Sequence, residues 1–302
     1  MKRSLIGPGH QDSDVFLGRT IRWTDVGLEW EANTKHVKML LDHHKMTTCK
    51  PMTTPVTMEQ VSLDDTQSGE PLGWTEARQF RGSVARINYL AQDRPDLSLA
   101  ACVLSTRMAN PRRGDEVVLK RVLRYLRGRS CVAMVYHWQA PCDELVLMTD
   151  SDWATCHRTR RSKSGGVLLR GRHVIQFWCK MQDRIALSSA EAELKAVCKG
   201  YAELIHMRNI IEFLCGTGPK LVSNTDASAC KGIMLRQGSG PVKHLSIRQL
   251  WVQEAVHEYN IDVRKLNRAE NLADFLCSPG KEALHVSRLQ EFGCEDRYTD
   301  ST

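Results

Sequence analysis

Four acidic residues lie where a strand should end or a helix should begin: Asp150, Glu193, Asp226 and Asp274. Asp150 closes an apolar run, and Glu193 lies in the first turns of a helix that opens with a capping-box pattern at residues 188–191. Carboxylates gathered from strand ends suit hard cations, because Mg²⁺ takes oxygen ligands and keeps several waters. Two ions roughly 3.5–4 Å apart can hold the attacking and leaving oxygens of a phosphodiester cleavage. The four acids therefore predict a nuclease site for two Mg²⁺ ions, with Mn²⁺ as the alternative metal.

Two neighbouring carboxylates compete for the same roles. Asp152 lies one alternation beyond Asp150 on the same strand face, so a place among the metal ligands is open to it. Glu191 precedes Glu193 by two residues, and the helix geometry favours Glu191 for the cap and Glu193 for the metal.

The acids belong to a part of the chain, residues 131–278, whose pattern is mixed α/β. Short apolar or alternating runs predict strands there, and longer runs with a 3.6-residue period predict helices. In chain order we expect a strand at 132–138 or 145–150, strands at 166–169 and 173–178, a helix at 189–214, a strand at 220–225, helices near 227–235 and 245–258, a strand at 261–266 and a helix at 270–277. Strands followed by strand–helix alternation predict a mixed sheet covered by helices.

The rest of the chain divides into four further parts by the same criteria. Residues 1–56 predict strand, turn and strand followed by a helix, and residues 57–75 are polar with Gly and Pro, which predicts a linker. Residues 76–130 predict helices only. Residues 279–302 are expected to form a C-terminal tail.

Composition and charge narrow the class of protein. The 302 residues carry a net charge of +7 at a sequence pI near 8.9, and the uneven placement of the basic residues favours a polyanionic partner. The 11 cysteines include no C-x-x-C pair, which argues against a zinc ribbon or a disulfide framework and for a reducing compartment. The first residues include no apolar stretch long enough for a signal peptide, and no run is as long as a membrane helix. We therefore expect an intracellular protein, cytoplasmic or nuclear, without a signal peptide or a membrane partner.

Two groups of basic residues are candidate phosphate contacts. The first, called the basic stripe below, recurs at helical spacing before the α/β part and consists of Lys120, Arg124 and Arg127. The second lies in the loop after the first acid-bearing strand and consists of Arg160, Arg161 and Lys163. For both groups, an ordinary solvated surface is the alternative interpretation.

Several motifs resemble the C-terminal part of Pol polyproteins from copia-type LTR retrotransposons. Those around the acids follow the order of that family's ribonuclease H domain: TDSDWA at 149–154, ALSSAEAEL at 186–194, KHLSIR at 243–248 and ENLAD at 270–274. Upstream, RPDLSLA at 94–100 and LKRVLRYLRG at 119–128 resemble the connection between polymerase and nuclease, and CKPMTTP at 49–55 resembles the end of the polymerase thumb. The likeness covers nearly the whole chain, and the order and spacing of the motifs make it specific.

The resemblance implies a ribonuclease H-like fold, a mixed sheet flanked by helices, in residues 131–278. It implies a remnant of the reverse transcriptase palm and thumb in residues 1–56 and a helical connection segment in residues 76–130. The family's catalytic acids match, position by position, the four acids named above. The family pattern is altered at three points: Thr155-Cys156 replaces a Gly, Gly166 replaces an aromatic residue, and Ala227-Ser228 replaces Asn-Gln.

The implied activity is metal-dependent hydrolysis of the RNA strand of RNA–DNA hybrids, with the upstream reverse transcriptase portion of the polyprotein as a partner. A competent reverse transcriptase is not expected, because the pair Asp64-Asp65 lies in polar sequence without hairpin strands and the palm should precede residue 1. The alternative is a catalytically inert remnant that binds nucleic acid or serves as a structural connection.

Overall fold

The computed structural model describes residues 4–238, 240, 244–280 and 282–297. The chain forms two compact units: the first contains the residues up to 139 and those from 279 onward, and the second contains residues 140–278. Among the described residues, no helix is both long enough and apolar enough to cross a bilayer.

The first unit combines an antiparallel sheet with a group of helices. The strands and helices up to residue 139 are β1 (Ser13–Phe16), β2 (Arg19–Thr24), β3 (Gly27–Glu31), α1 (Thr34–His43), α2 (Met58–Ser62), α3 (Trp74–Leu90), α4 (Pro95–Ser105), α5 (Arg113–Gly128) and β4 (Val132–His137). The C-terminal segment adds α10 (Glu282–Glu291) and β10 (Cys294–Asp296), and the strand order is β1-β2-β3-β4-β10.

Two predicted boundaries are wrong for the same physical reason. We placed the start of the α/β part at residue 131 and a tail at 279–302, but β4 pairs antiparallel with both β3 and β10 and so belongs to the first unit. A buried cluster also holds the C-terminal segment there, because the Tyr125 hydroxyl donates to Asp96 (2.7 Å) and lies 3.0 Å from Nε2 of His285. Pairing between strands so far apart in sequence leaves no signal in local periodicity.

The polar stretch at 57–75, predicted to be a linker, contains the short helix α2. The Thr57 hydroxyl accepts from the backbone N–H of Gln60, whose side chain accepts from the N–H of Thr57, and this reciprocal cap fixes the first turn. Val61 in this helix is buried. The side chains of Ser68 and Leu72 are buried as well, and backbone hydrogen bonds join residues 68–72 to residues 111–114. Local capping and these tertiary contacts order a segment whose composition is typical of a linker.

The second unit is the mixed α/β part that the sequence predicted. Its elements are β5 (Glu144–Asp152), β6 (Lys163–Arg170), β7 (His173–Met181), α6 (Ser189–Cys215), β8 (Lys220–Thr225), α7 (Ser228–Met234), α8 (Ile247–Glu258), β9 (Asp262–Lys265) and α9 (Asp274–Cys277). The strand order is β7-β6-β5-β8-β9, with β5, β8 and β9 mutually parallel and β6 antiparallel to its neighbours. This mixed sheet flanked by helices has the ribonuclease H-like architecture and confirms the predicted fold class.

The long helix α6 packs on the central strand of this sheet through a core that includes Leu145, Leu147, Leu194 and Val197. A side chain at Gly200 would put its Cβ 2.8 Å from a methyl of Leu147, so the glycine allows the close approach of the helix. Since β5 and β8 run parallel, their C-terminal ends lie at one edge of the sheet, where the acids were expected to meet.

Candidate metal centre

Three of the four predicted acids come together at this edge. Asp150 near the end of β5, Glu193 in the first turns of α6 and Asp226 just after β8 offer carboxylate oxygens that all lie within 4.8 Å of one another. Asp150 is 6% exposed, and the other two are partly buried. The sheet edge and the start of the helix therefore build a compact set of oxygen donors.

The start of α6 explains which glutamate faces the cluster. The Ser188 hydroxyl accepts from the N–H of Glu191 at 3.2 Å, and the Glu191 carboxylate accepts from the N–H of Leu187 at 2.7 Å. Glu191 also lies 3.0 Å from Nζ of Lys195, so it is committed to the cap and an ion pair. Glu193, two residues further on, reaches the end of β5, as the helix geometry had favoured.

Burial and mutual repulsion raise the pKa values of the two most buried acids, Asp150 and Glu193. Loss of solvation, with the neighbouring charges of Asp274 and Asp226, raises the pKa of Asp150 to about 7. Loss of solvation, with the charge of Asp150, raises the pKa of Glu193 to about 8. Among the described residues, Oε2 of Glu193 is buried without a hydrogen-bond partner. An unpartnered buried oxygen among crowded carboxylates fits a hard divalent cation, which would relieve both effects.

Asp274, the fourth predicted acid, lies beside this cluster and outside the three-acid group. Its Oδ1 is 3.0 Å from Nη2 of Arg268, and its charge contributes to the raised pKa of Asp150. The structure thus places Asp274 close enough to act electrostatically on the centre while an arginine neutralises part of its charge.

Three residues that sequence analysis did not single out hold Asp274 in place. The Asn271 side chain donates to the carbonyl of Thr149 at 3.0 Å, and the Cys277 thiol donates to the carbonyl of Asp150 at 3.3 Å. Gly165 on β6 leaves room for α9, because a Cβ there would lie 2.7 Å from the carbonyl oxygen of Ala273 and from Sγ of Cys277. The Gly165-Gly166 pair inside a strand was the available signal, since glycine in a strand often marks a close backbone approach.

Asp152, the competing strand carboxylate, forms an ion pair with Lys163, and the prediction that Lys163 contacts phosphate is wrong. The Lys163 ammonium forms an ion pair with Asp152 and donates to Thr155 at 2.6 Å, and its side chain is only 1% exposed. Lys163 opens β6 directly opposite Asp152, so the sheet register buries it against that acid. A buried ammonium with two protein partners does not reach a phosphate in solvent.

The other predicted basic contacts remain accessible to different degrees. Arg160 and Arg161 are exposed in the loop between β5 and β6. In the basic stripe, Nε of Arg124 donates to the carbonyl of Lys50 (2.8 Å) and Nε of Arg127 to that of Thr47 (2.5 Å), while Lys120 is exposed. These bonds give part of the stripe a structural role on α5, and its contact with phosphates stays a prediction.

Two further sequence features have clear structural outcomes. The Trp178 ring fills the space beside Gly166, where an added Cβ would lie 2.1 Å from Cζ2 of the indole, so the cross-strand tryptophan occupies the volume of the missing aromatic side chain. Asp64 accepts from the N–H of Gln67 at 2.9 Å and Asp65 lies 3.5 Å from Arg112, which places the rejected aspartate pair in a loop outside any strand.

Lys243 of the KHLSIR motif lies outside the described residues, and Nε2 of His244 is 3.4 Å from Glu191.

Comparison with known proteins finds relatives along most of the chain, although no protein-family model matches it. The uncharacterized mitochondrial protein AtMg00810 of Arabidopsis thaliana is 34% identical over 66% of this chain and 78% of its own length. The retrovirus-related Pol polyprotein from transposon RE1 of the same plant is 28% identical over 89% of this chain, which spans only 18% of that polyprotein. The N-terminal RNase H domain of Rv2228c from Mycobacterium tuberculosis matches 49% of this chain and 96% of its own at 16% identity and a TM-score of 0.33. The strand order of the second unit carries the fold assignment.

Proposed function

Because the chain belongs to the copia-type, retrovirus-related Pol polyproteins of transposons, we propose that its second unit is a ribonuclease H that hydrolyses the RNA strand of RNA–DNA hybrids. The single observation that carries the proposal is the convergence of Asp150, Glu193 and Asp226 within 4.8 Å at one edge of the sheet. Such a donor set suits metal-assisted cleavage of a phosphodiester, because oxygen-rich sites hold the Mg²⁺ ions that nucleases use.

The acids of the cluster would hold two Mg²⁺ ions, or Mn²⁺ in their place. Bound ions supply a water activated for attack on phosphorus and neutralise the charge that develops on the departing 3′ oxygen. The chain's own residues keep the donors in register: the cap at Ser188 and Glu191 aims Glu193 at the end of β5, and Asn271 and Cys277 keep α9 against that strand. Fixed donors of this kind reduce the reorganisation needed during the reaction.

Recognition of the substrate should depend on shape rather than base sequence. Proteins recognise A-form-like duplexes mainly through backbone phosphates and 2′-hydroxyls. Arg160 and Arg161, which are exposed in the loop after β5, would supply phosphate contacts. The upstream reverse transcriptase portion of the polyprotein is the expected protein partner, since the related polyproteins are several times longer than this chain.

The test is cleavage by the full chain and by Asp226→Asn. The amide keeps the size of the side chain and removes the charge that holds a cation, so we expect no cleavage while hybrid binding and the unfolding midpoint stay near those of the wild type. Unchanged turnover would remove Asp226 from the centre. Absence of cleavage in the wild type, with binding intact, would instead support the inert remnant as the function.

A further inference from the structure

Glu191, which closes the cap of α6, also joins this helix to the start of α8. Its Oε1 accepts from Nε2 of Gln249 at 3.2 Å and lies 3.0 Å from Nζ of Lys195, and its Oε2 accepts from the N–H of Leu187 at 2.7 Å. Glu191 and Gln249 are both buried, with 6% and 5% of their surface exposed. Although burial acts against the charged form, these hydrogen bonds hold the pKa of Glu191 below its usual value, so the side chain stays a carboxylate.

The partners of the Gln249 amide fix its orientation. Its Oε1 accepts from the N–H of Ser246 at 2.7 Å and so caps the first turn of α8, which leaves Nε2 to face Glu191. The reversed amide would set Nε2 against the N–H of Ser246 and Oε1 against the carboxylate of Glu191, and both of these pairings are repulsive. A buried side chain bonded at both ends therefore links the start of α8 to the start of α6.

This link acts on the turn of α6 that carries Glu193. Glu191 and Glu193 are two residues apart in one helical turn, so a displacement of the first also moves the second. Another buried glutamine, Gln182, donates to the carbonyl of Ala192 at 2.9 Å and holds the same turn. Loss of one glutamine should therefore tilt the start of α6 without unfolding it.

We propose that Gln249 is a positioning residue of the metal centre, which acts through Glu191 on Glu193. The inference rests on the proposed function, because it takes the acid cluster to bind Mg²⁺. Groups that orient metal ligands typically contribute about 10–100-fold to metal affinity. Since Gln249 acts through a second residue, we expect an effect of about tenfold, the lower end of this range.

The first experiment measures the melting temperature of the full chain against Mg²⁺ concentration, without nucleic acid. A ligand that binds only the folded state raises this temperature by an amount set by its concentration relative to the dissociation constant. Gln249→Leu should therefore need about ten times more Mg²⁺ than the wild type for the same rise. Asp226→Asn, which removes a metal ligand, should show almost no rise.

Gln253→Leu is the matched control, one helical turn further along α8. Gln253 is also buried, and its amide bonds to the carbonyl of Ile233 and to both backbone groups of Gly238, in α7 and the loop that follows it. Both variants lose buried hydrogen bonds and should melt below the wild type in EDTA, but only Gln249→Leu should respond more weakly to Mg²⁺. The same Mg²⁺ response in the wild type and both variants would overturn the proposal and leave Gln249 with a role in stability alone.

Exchanging the two side chains gives a second test. Gln249→Glu alone sets two carboxylates against each other, and Glu191→Gln alone sets two amide donors against each other, so each should weaken the Mg²⁺ response. In the double variant Glu191→Gln/Gln249→Glu, the carboxylate at position 249 accepts from the N–H of Ser246 and from the amide at position 191, whose oxygen accepts from the N–H of Leu187. The double variant should therefore recover most of the wild-type response. A response as weak as that of the single variants would contradict the proposal.

The same measurements separate this inference from the proposed function. If Mg²⁺ raises the melting temperature of the wild type no further than that of Asp226→Asn, the metal centre is refuted, and the role of Gln249 with it. If the wild type responds and Gln249→Leu responds equally, only the role of Gln249 is refuted.

Discussion

Replacing Gly165 by alanine tests how the fourth acid is positioned. The added Cβ would lie 2.7 Å from the carbonyl oxygen of Ala273 and from Sγ of Cys277, and 3.2 Å from Cβ of Leu276. The first two separations are about 0.7–1 Å short of ordinary contact, so α9 has to move outward by roughly that distance. Overpacking of this kind costs about 1–3 kcal/mol of stability, and a displacement near 1 Å at a catalytic group can reduce the rate by about 100-fold.

Gly232→Ala provides the matched control. Gly232 lies inside α7 with nothing within 4 Å of the position of an added Cβ, so alanine there should raise stability by up to about 1 kcal/mol and leave cleavage unchanged. Denaturant unfolding and single-turnover cleavage of a labelled hybrid give the two quantities for each variant. A Gly165→Ala protein with wild-type stability and rate would refute the packing of α9 on β6 as the device that holds Asp274.

Three further predictions concern charge. The pKa of Asp150 is raised to about 7, so the folded protein holds a proton that the unfolded chain releases near pH 4, and stability without metal should fall as the pH rises through this window. Asp150→Asn should therefore have a higher melting temperature than the wild type at pH 8 in EDTA. The same dependence of melting temperature on pH in both proteins would contradict this. Lys163→Met leaves Asp152 buried and unpaired, which should cost about 3–5 kcal/mol in denaturant unfolding without changing the salt slope of hybrid binding. Replacing the basic stripe by glutamine should flatten that slope by up to about 2–3 units, and equal slopes would show that the stripe only supports α5.

The sequence was sufficient to predict that Asp150, Glu193 and Asp226 come together, because its signals are local. Asp150 closes an apolar run, Glu193 follows the cap residues of a helix, and Asp226 follows a strand. Each of these local patterns predicts a strand end or a helix start. Because β5 and β8 are parallel neighbours, the strand ends and the helix start that carry these acids come together.

The features that the sequence did not reveal depend on contacts between distant residues. The pairing of β4 with β10 joins segments about 160 residues apart, which makes the second unit an insertion in the first. The burial of Lys163 follows from its register opposite Asp152, and a one-residue shift would have turned it to the other face. Likewise, Trp178 can occupy the space beside Gly166 only because the two residues pair across strands.

The central claim is that the acid cluster cuts RNA in a hybrid with the help of divalent cations. Its most direct test is incubation of the purified chain with an RNA–DNA hybrid whose RNA strand is labelled, in Mg²⁺ and in EDTA, followed by analysis of the product ends. We predict internal cuts only with Mg²⁺, products with 3′-hydroxyl and 5′-phosphate ends because the 3′ oxygen departs, and no cuts by Asp226→Asn. An intact RNA strand in Mg²⁺, or cuts that persist in EDTA or in the variant, would contradict the claim.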